Sequence, residues 1–168
     1  MKTLHLHPGP ASGFRIVLLG KSEDKQTKLC NFIIKANVGR EVTFGEWKGK
    51  PVTVVKTPNI FSLSMDVVRR EVKCCATLCS PGPNVLLLLV KPSDFTEENR
   101  KKLKFFQHFL HKDAFKHSMV VLTHEGQKSV SVNDLLKDCG GRYYSMSEDD
   151  HRSLMENMDN ILSKNRGT

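Results

Sequence analysis

Short β-type runs alternate along this chain with helix-periodic stretches, and that alternation limits the fold more than any other feature. Extended runs fall at residues 14–19, 51–55, 85–90, 118–122 and, more weakly, 142–146. Helical patterns occupy 25–35, 64–77, 96–111, 132–137 and 148–163. Strands joined through helices return in the same direction, so the pattern predicts an α/β fold with a mostly parallel sheet and helices on both faces. The segment FGEWKGKPVTVVKTP, 44–58, is the exception. It reads as a hairpin: an edge strand carrying Glu46 and Trp47 turns through Lys48, Gly49 and Lys50 into the buried run Val52 to Val55. That gives a six-stranded sheet one antiparallel edge.

Local punctuation sets several boundaries. Thr96 precedes Glu97 and Glu98, acids that complement a helix dipole, and both Ser131 with Asp134 and Ser147 with Asp150 have capping-box spacing. SPGPN at 80–84 stops a helix before the apolar run NVLLLLV, and CGGR at 139–142 supplies glycine at a helix C-terminus. The expected organisation is a flexible leader at 1–13, one domain over 14–165 and a tail at 166–168.

A chain of 168 residues is long enough to bury a core without disulfides or metal. Its most apolar run, 84–90, is too short to cross a bilayer, and no signal-peptide pattern opens the chain, so a soluble, cytoplasmic protein is expected. The five cysteines (Cys30, Cys74, Cys75, Cys79 and Cys139) are odd in number and lack zinc spacing, which points to free thiols. The net charge of +8 raises nucleic acid as a partner. The basic residues are dispersed, however, and the densest cluster, NRKKLKFF at 99–106, lies on a helix with Leu103, Phe106 and Leu110 on its apolar side. A solvated helix face accounts for it, and no nucleic-acid motif accompanies it. A membrane surface stays open as a partner without a feature that indicates one.

Function concentrates where strands end, because ligands of open α/β sheets gather outside the carboxyl ends of the strands. Gly20, Lys56, Lys91 and Thr123 fall on that one rim. The stretch RIVLLGKSEDKQT, 15–27, runs from an apolar strand through Gly20 to Thr27. It has the outline of G-x-x-x-x-G-K-[ST], in which backbone N–H groups and a helix N-terminus cradle phosphate. Lys25 stands at the second glycine and Gln26 at the lysine.

Five stretches together resemble the immunity-associated protein (IMAP or GIMAP) GTPases, a branch of the septin-like and TRAFAC G domains. They are RIVLLGKS, GEWKGKPVTVVKTPNIF, CSPGPNVLLLLVKPSDFTEEN, FKHSMVVLTH and LLKDCGGRYY, which between them span most of the chain from Phe14 onward. The resemblance implies a three-layer, Ras-like G domain of the P-loop NTPase fold. It also implies GTP or GDP with magnesium, and self-association or pairing with other IMAP-type G domains, often near intracellular membranes. Transferred to this chain, the nucleotide-binding positions are Gly20, Lys21, Ser22, Glu23, Asp24, Lys25, Gln26, Thr27, Lys56, Thr123, His124, Glu125 and Ser147, with the Thr27 hydroxyl as the magnesium ligand.

Several family positions carry other chemistry here. The family's D-T-P-G is Lys56-Thr57-Pro58-Asn59, which puts an ammonium where a carboxylate would orient a magnesium-bound water. Either the metal is absent or Lys56 takes over part of its charge. The first switch, 35–44, is shorter than in the family, and its one threonine, Thr43, lies nearly inside a strand. Thr123 and His124 match T-[RH], but the base-pairing acid falls at Gly126 with Glu125 one residue early, and Ser147 with Glu148 stand where the family has Asn. Ser80 and Ser93 have no paired His, and no residue is nominated as catalytic.

Three functions remain compatible with these residues. One is a guanine-nucleotide-binding domain of weak affinity with little or no hydrolysis. Another is a nucleotide-free pseudo-GTPase serving as an interaction module, and the third is a basic adaptor for acidic surfaces.

Overall fold

The structure, a computed structural model, describes residues 14–21, 23–33, 42–47, 49–147 and 151–165. The expected leader and tail lie outside the described residues. The strands are β1 (Phe14–Gly20), β2 (Val42–Trp47), β3 (Lys50–Asn59), β4 (Val85–Val90), β5 (Ser118–Leu122) and β6 (Tyr143–Ser145). The helices are α1 (Glu23–Ile33), α2 (Met65–Leu78), α3 (Glu97–Leu110), α4 (Val130–Asp138) and α5 (Arg152–Lys164). Strand order is β2-β3-β1-β4-β5-β6. Among these strands only β2 runs antiparallel to its neighbour, pairing Val42 with Val55 and Trp47 with Lys50, as the hairpin reading requires.

Side-chain alternation divides the core into two layers. From β4, Leu86, Leu88 and Val90 face a cluster with Val68, Val72, Leu103, Phe106, Val132 and Leu135 of α2, α3 and α4. Val85, Leu87 and Leu89 face the opposite cluster, with Leu29 and Ile33 of α1 and Leu154, Met158 and Ile161 of α5. Every β4 residue is buried, which is why that strand reads as an unbroken apolar run. Each such side chain contributes about 1.5–3 kcal/mol through removal from water.

The amino end of the sheet is fixed by polar bonds. Arg15 N donates to Asn84 Oδ1 at 2.7 Å, Asn84 N donates to Arg15 O at 2.7 Å, and the Arg15 guanidinium donates to Gly82 O. His117 Nδ1 lies 3.0 Å from Asn84 O. SPGPN is therefore the loop that locks β4 beside β1.

Several expected boundaries move. α4 starts at Val130, capped by Ser129, whose Oγ accepts from Val132 N; Ser131 sits inside the helix and does not cap it. Ser147 lies 2.8 Å from Ser145, Oγ to Oγ, while Glu148 and Asp150 lie outside the described residues. The cap position of α5 is His151, which makes no side-chain cap bond. Thr96 caps α3 as expected, with Asn99 completing the reciprocal box. At the end of α4, Gly140 and Gly141 take φ of 66° and 80°, and their N–H groups close onto Lys137 O and Leu136 O.

Candidate functional site

Gly20 ends β1 in a conformation open only to glycine. Its φ is 115°, and a Cβ there would lie 2.2 Å from Leu89 O. Lys21 N then donates to Leu89 O at 2.9 Å, pressing the chain against β4. Ser22 lies outside the described residues, and α1 begins at Glu23. The helix expected from Lys25 starts two residues earlier. Glu23 and Asp24, which the motif puts in the cradle, form the first turn of α1, and Lys25, Gln26 and Thr27 continue the helix. Two physical causes converge: position 25 lacks the glycine that lets a loop wrap closely, and paired acids favour a helix N-terminus. Their charges complement the very dipole a phosphate would use.

Gln26 has become a strut. It is fully buried; its Oε1 accepts from Thr57 N at 3.0 Å, and its Nε2 donates to Gly20 O at 3.4 Å. Thr57 Oγ1 donates to Leu18 O at 3.0 Å. The amide so joins the carboxyl ends of β1 and β3, satisfying a donor and an acceptor that a lysine could not both serve.

Beside this strut opens a cleft of about 300 Å³ lined by Glu23, Gln26, Thr27, Lys56, Thr57, Pro58 and Glu71. Lys56 Nζ donates to Thr27 Oγ1 at 3.4 Å. Thr57 and Glu71 were absent from the sequence-based site. Thr57 sits one residue past Lys56 on the strand that reaches the rim, whereas Glu71 on α2 carries no local signal.

The other half of the rim is basic. His124 follows β5, and its Nδ1 lies 2.7 Å from Thr123 Oγ1, while Thr123 N donates to Val90 O at 2.9 Å. Burial, then the ammoniums of Lys25 and Lys91, holds the His124 imidazole below its ordinary pKa; Asp94 opposes them and Lys21 adds to them. Lys21 pairs with Asp94 at 3.0 Å. Lys91 and Asp94 thus join the nominated Lys21, Lys25 and His124. Glu125 is exposed in the loop after β5, and Ser147 is engaged with Ser145.

The family model for the AIG1 family matches residues 14–167. The chain belongs to that family. Among curated AIG1-type relatives, mouse GTPase IMAP family member 8 is 32% identical over a stretch covering 56% of this chain and 16% of the relative. The human protein of the same name is 24% identical, covering 79% of this chain and 24% of the relative. The chain thus spans less than a third of the length of these relatives. The fold agrees with solved G domains. Toc33 from Arabidopsis thaliana, as a dimerization-deficient mutant, superposes with a TM-score of 0.68 at 13% identity, covering 92% of this chain and 86% of that one. A probable GTP-binding protein engB gives 0.59 at 16% identity, covering 89% and 99%. Toc33 in complex with Mg2+ and GMPPNP gives 0.65 at 14% identity, covering 92% and 86%.

Magnesium does not fit the residues present at Thr27. The ion demands oxygen donors in near-octahedral array. Here the candidate hydroxyl accepts from an ammonium, and a fixed positive charge holds the position next to it. Among the described residues no group of three or more His, Cys, Asp or Glu is arranged to hold a metal.

Proposed function

We propose that this chain is an IMAP-type G domain that binds guanine nucleotide, GTP or GDP, weakly and hydrolyses little or no GTP. Family membership and the G-domain fold support the nucleotide, as do the ammoniums of Lys25, Lys91 and Lys21, whose charges act on His124 at the carboxyl rim. The observation that carries the loss of hydrolysis is the buried Gln26, whose amide accepts from Thr57 N and donates to Gly20 O. Phosphoryl transfer depends on fixed charge about the transferred group, and a buried neutral strut supplies none. The motif departures at 25, 26, 56 and 126 belong to the same inference.

The test is calorimetric titration of GDP and GTP joined to single-turnover phosphate release. The expected outcome is weak binding with no release above the uncatalysed rate. Saturating nucleotide at a hundred times its dissociation constant raises stability by about 2.7 kcal/mol, so an unchanged melting temperature in millimolar nucleotide rejects the binding.

A nucleotide-free interaction module is the alternative, favoured by one observation: α1 starts at Glu23 with acids in its first turn, whose charges oppose an anion at that helix end. We also infer self-association with like G domains. In support, dimerization is important for the GTPase activity of the chloroplast translocon components atToc33 and psToc159, structural relatives of this fold. Cytoplasmic residence is part of the proposal, supported by five free thiols.

A further inference from the structure

We propose that Lys102 is a latch that holds the segment from Asn59 to Leu63 in one conformation, so that this part of the carboxyl rim is permanently set and does not report what occupies the cleft. The inference goes beyond the nucleotide reading, and its main test uses the chain alone.

The segment leaves β3 at Asn59, which pairs with Gly20, forms a short 3-10 turn over Ile60–Ser62 and passes through Leu63 into α2. A turn of this kind leaves carbonyls at its end in need of donors. Lys102 supplies them from α3: its ammonium donates to Phe61 O at 3.2 Å and to Leu63 O at 2.7 Å. One side chain thus ties both flanks of Ser62 to a different helix. Lys102 is half-buried, and the next residue, Leu103, is fully buried in the core, so the latch is mounted on an element fixed by its own packing.

Further holds act on the same segment. Asn59 Oδ1 accepts from Phe61 N at 3.1 Å, and Ser62 Oγ donates to Asn59 O at 2.9 Å. Ile60 is fully buried. The Phe61 ring meets Phe95, in the loop after β4, edge to face at 5.7 Å. A rim segment that a G domain orders through the phosphate of its nucleotide loosens when that phosphate leaves. Here the holds are protein groups, which stay whatever the nucleotide does. The bonds from Lys102 are the charge-assisted ones among them, and so the strongest. Pro58, just before the segment, and Glu71, on the helix after it, both line the cleft, so the latched stretch connects two of its walls.

The experiment is hydrogen–deuterium exchange read by mass spectrometry on the full chain, for the parent, Lys102→Met and Lys102→Arg, with melting curves recorded first. Methionine keeps an apolar stem and removes the donors, whereas arginine keeps both charge and donors. Labelling times are chosen at which β4 stays unexchanged in every variant. Within them the parent should be protected over 59–65, and Lys102→Met should exchange there about tenfold faster, the loss expected when a charged donor leaves its carbonyls. Lys102→Arg should recover most of that protection. Adding millimolar GDP to the parent should change exchange over 59–65 by less than about twofold. Equal exchange of Lys102→Met and parent over 59–65 overturns the inference. So does exchange of that stretch in Lys102→Met only together with β4, which would make Lys102 a contributor to global stability and no local latch. A larger response of 59–65 to GDP in the parent overturns it while upholding the nucleotide reading. If GDP fails to bind, the nucleotide reading falls and the ligand-free comparison still decides the latch. Rapid, unprotected exchange over 59–65 in the parent overturns the inference as well, and that measurement decides the matter should Lys102→Met fail to fold.

Discussion

The two rims of this sheet treat polar groups in opposite ways. At the amino end, Arg15, Gly82, Asn84 and His117 are bonded to one another and to backbone, fixing the loop before β4. At the carboxyl end, Glu23, Lys56 and Glu71 line a cleft, and the charges of Lys25, Lys91 and Lys21 act on the exposed His124 imidazole. The segment that leads into β4 begins at the first rim, where Gly82 and Asn84 serve the fold. The second rim carries the cleft and the basic residues on which the proposed nucleotide binding rests. The residues that hold a fold and those that would serve a ligand can thus be tested separately.

The sharpest break in that contrast is Gly20→Ala, because here, as at the Gln26 strut, the carboxyl rim is as constrained as the amino rim. A Cβ 2.2 Å from Leu89 O meets backbone that cannot retreat without parting β1 from β4, and φ of 115° disfavours alanine in any case. A loss of about 4 kcal/mol or more is expected, read as a failure to fold or a large drop in the denaturation midpoint. A midpoint close to the parent's would show that the corner is loose.

Next comes Gln26→Lys, the change that restores the motif letter. In the parent, Gln26 accepts from Thr57 N and donates to Gly20 O. Lysine can donate but not accept, so Thr57 N is left unsatisfied next to a buried charge. The expected cost is about 3 kcal/mol, measured by urea denaturation, with partial recovery on adding nucleotide. A variant as stable as the parent without ligand would mean that Gln26 is no strut.

What was legible from sequence follows the range of the interactions. The order of strands and helices comes from local periodicity, and the runs at 85–90 and 118–122 coincide with β4 and β5 because both are continuous apolar segments. The antiparallel hairpin was marked by its own glycine. The start of α1 was not, since the phosphate-loop template made Glu23 and Asp24 read as loop, although acids without a following glycine are equally a helix start. Ser129 and Ser131 both suit a cap, and only packing of α4 chooses between them. Gln26 with Thr57, and Thr27 with Lys56, are contacts across about thirty residues of chain; no spacing rule reaches them.

Asn84→Ala probes the amino rim. It removes the acceptor for Arg15 N while leaving the backbone bond from Asn84 N to Arg15 O in place. We expect about 2 kcal/mol of destabilisation and no change in nucleotide affinity once the variant is folded. Altered affinity at constant fold would show that the two rims communicate, and the separation drawn above would fail.

The smallest effect is a pH dependence that distinguishes the histidines of the two rims. At the amino rim, burial and then the ring of His117, whose centroid lies 4.1 Å away, hold His111 below its ordinary pKa; Asp113 opposes this shift and Lys112 adds to it. A group whose folded pKa is depressed takes up protons more readily when unfolded, so its contribution is present above the ordinary histidine value and is lost as pH falls through the folded pKa. Stability should be flat from pH 8 to 7 and decline modestly below about 6.5. His111→Asn should flatten that decline. His124 is also depressed, but it is exposed at the open rim, where solvent screens its neighbours. His124→Asn should leave the slope as it is and alter instead the pH dependence of nucleotide binding, since a proton gained there adds charge beside the phosphate path. Thermal melts across this range separate the two: if His124→Asn flattens the curve and His111→Asn does not, then the carboxyl rim is the more tightly packed of the two.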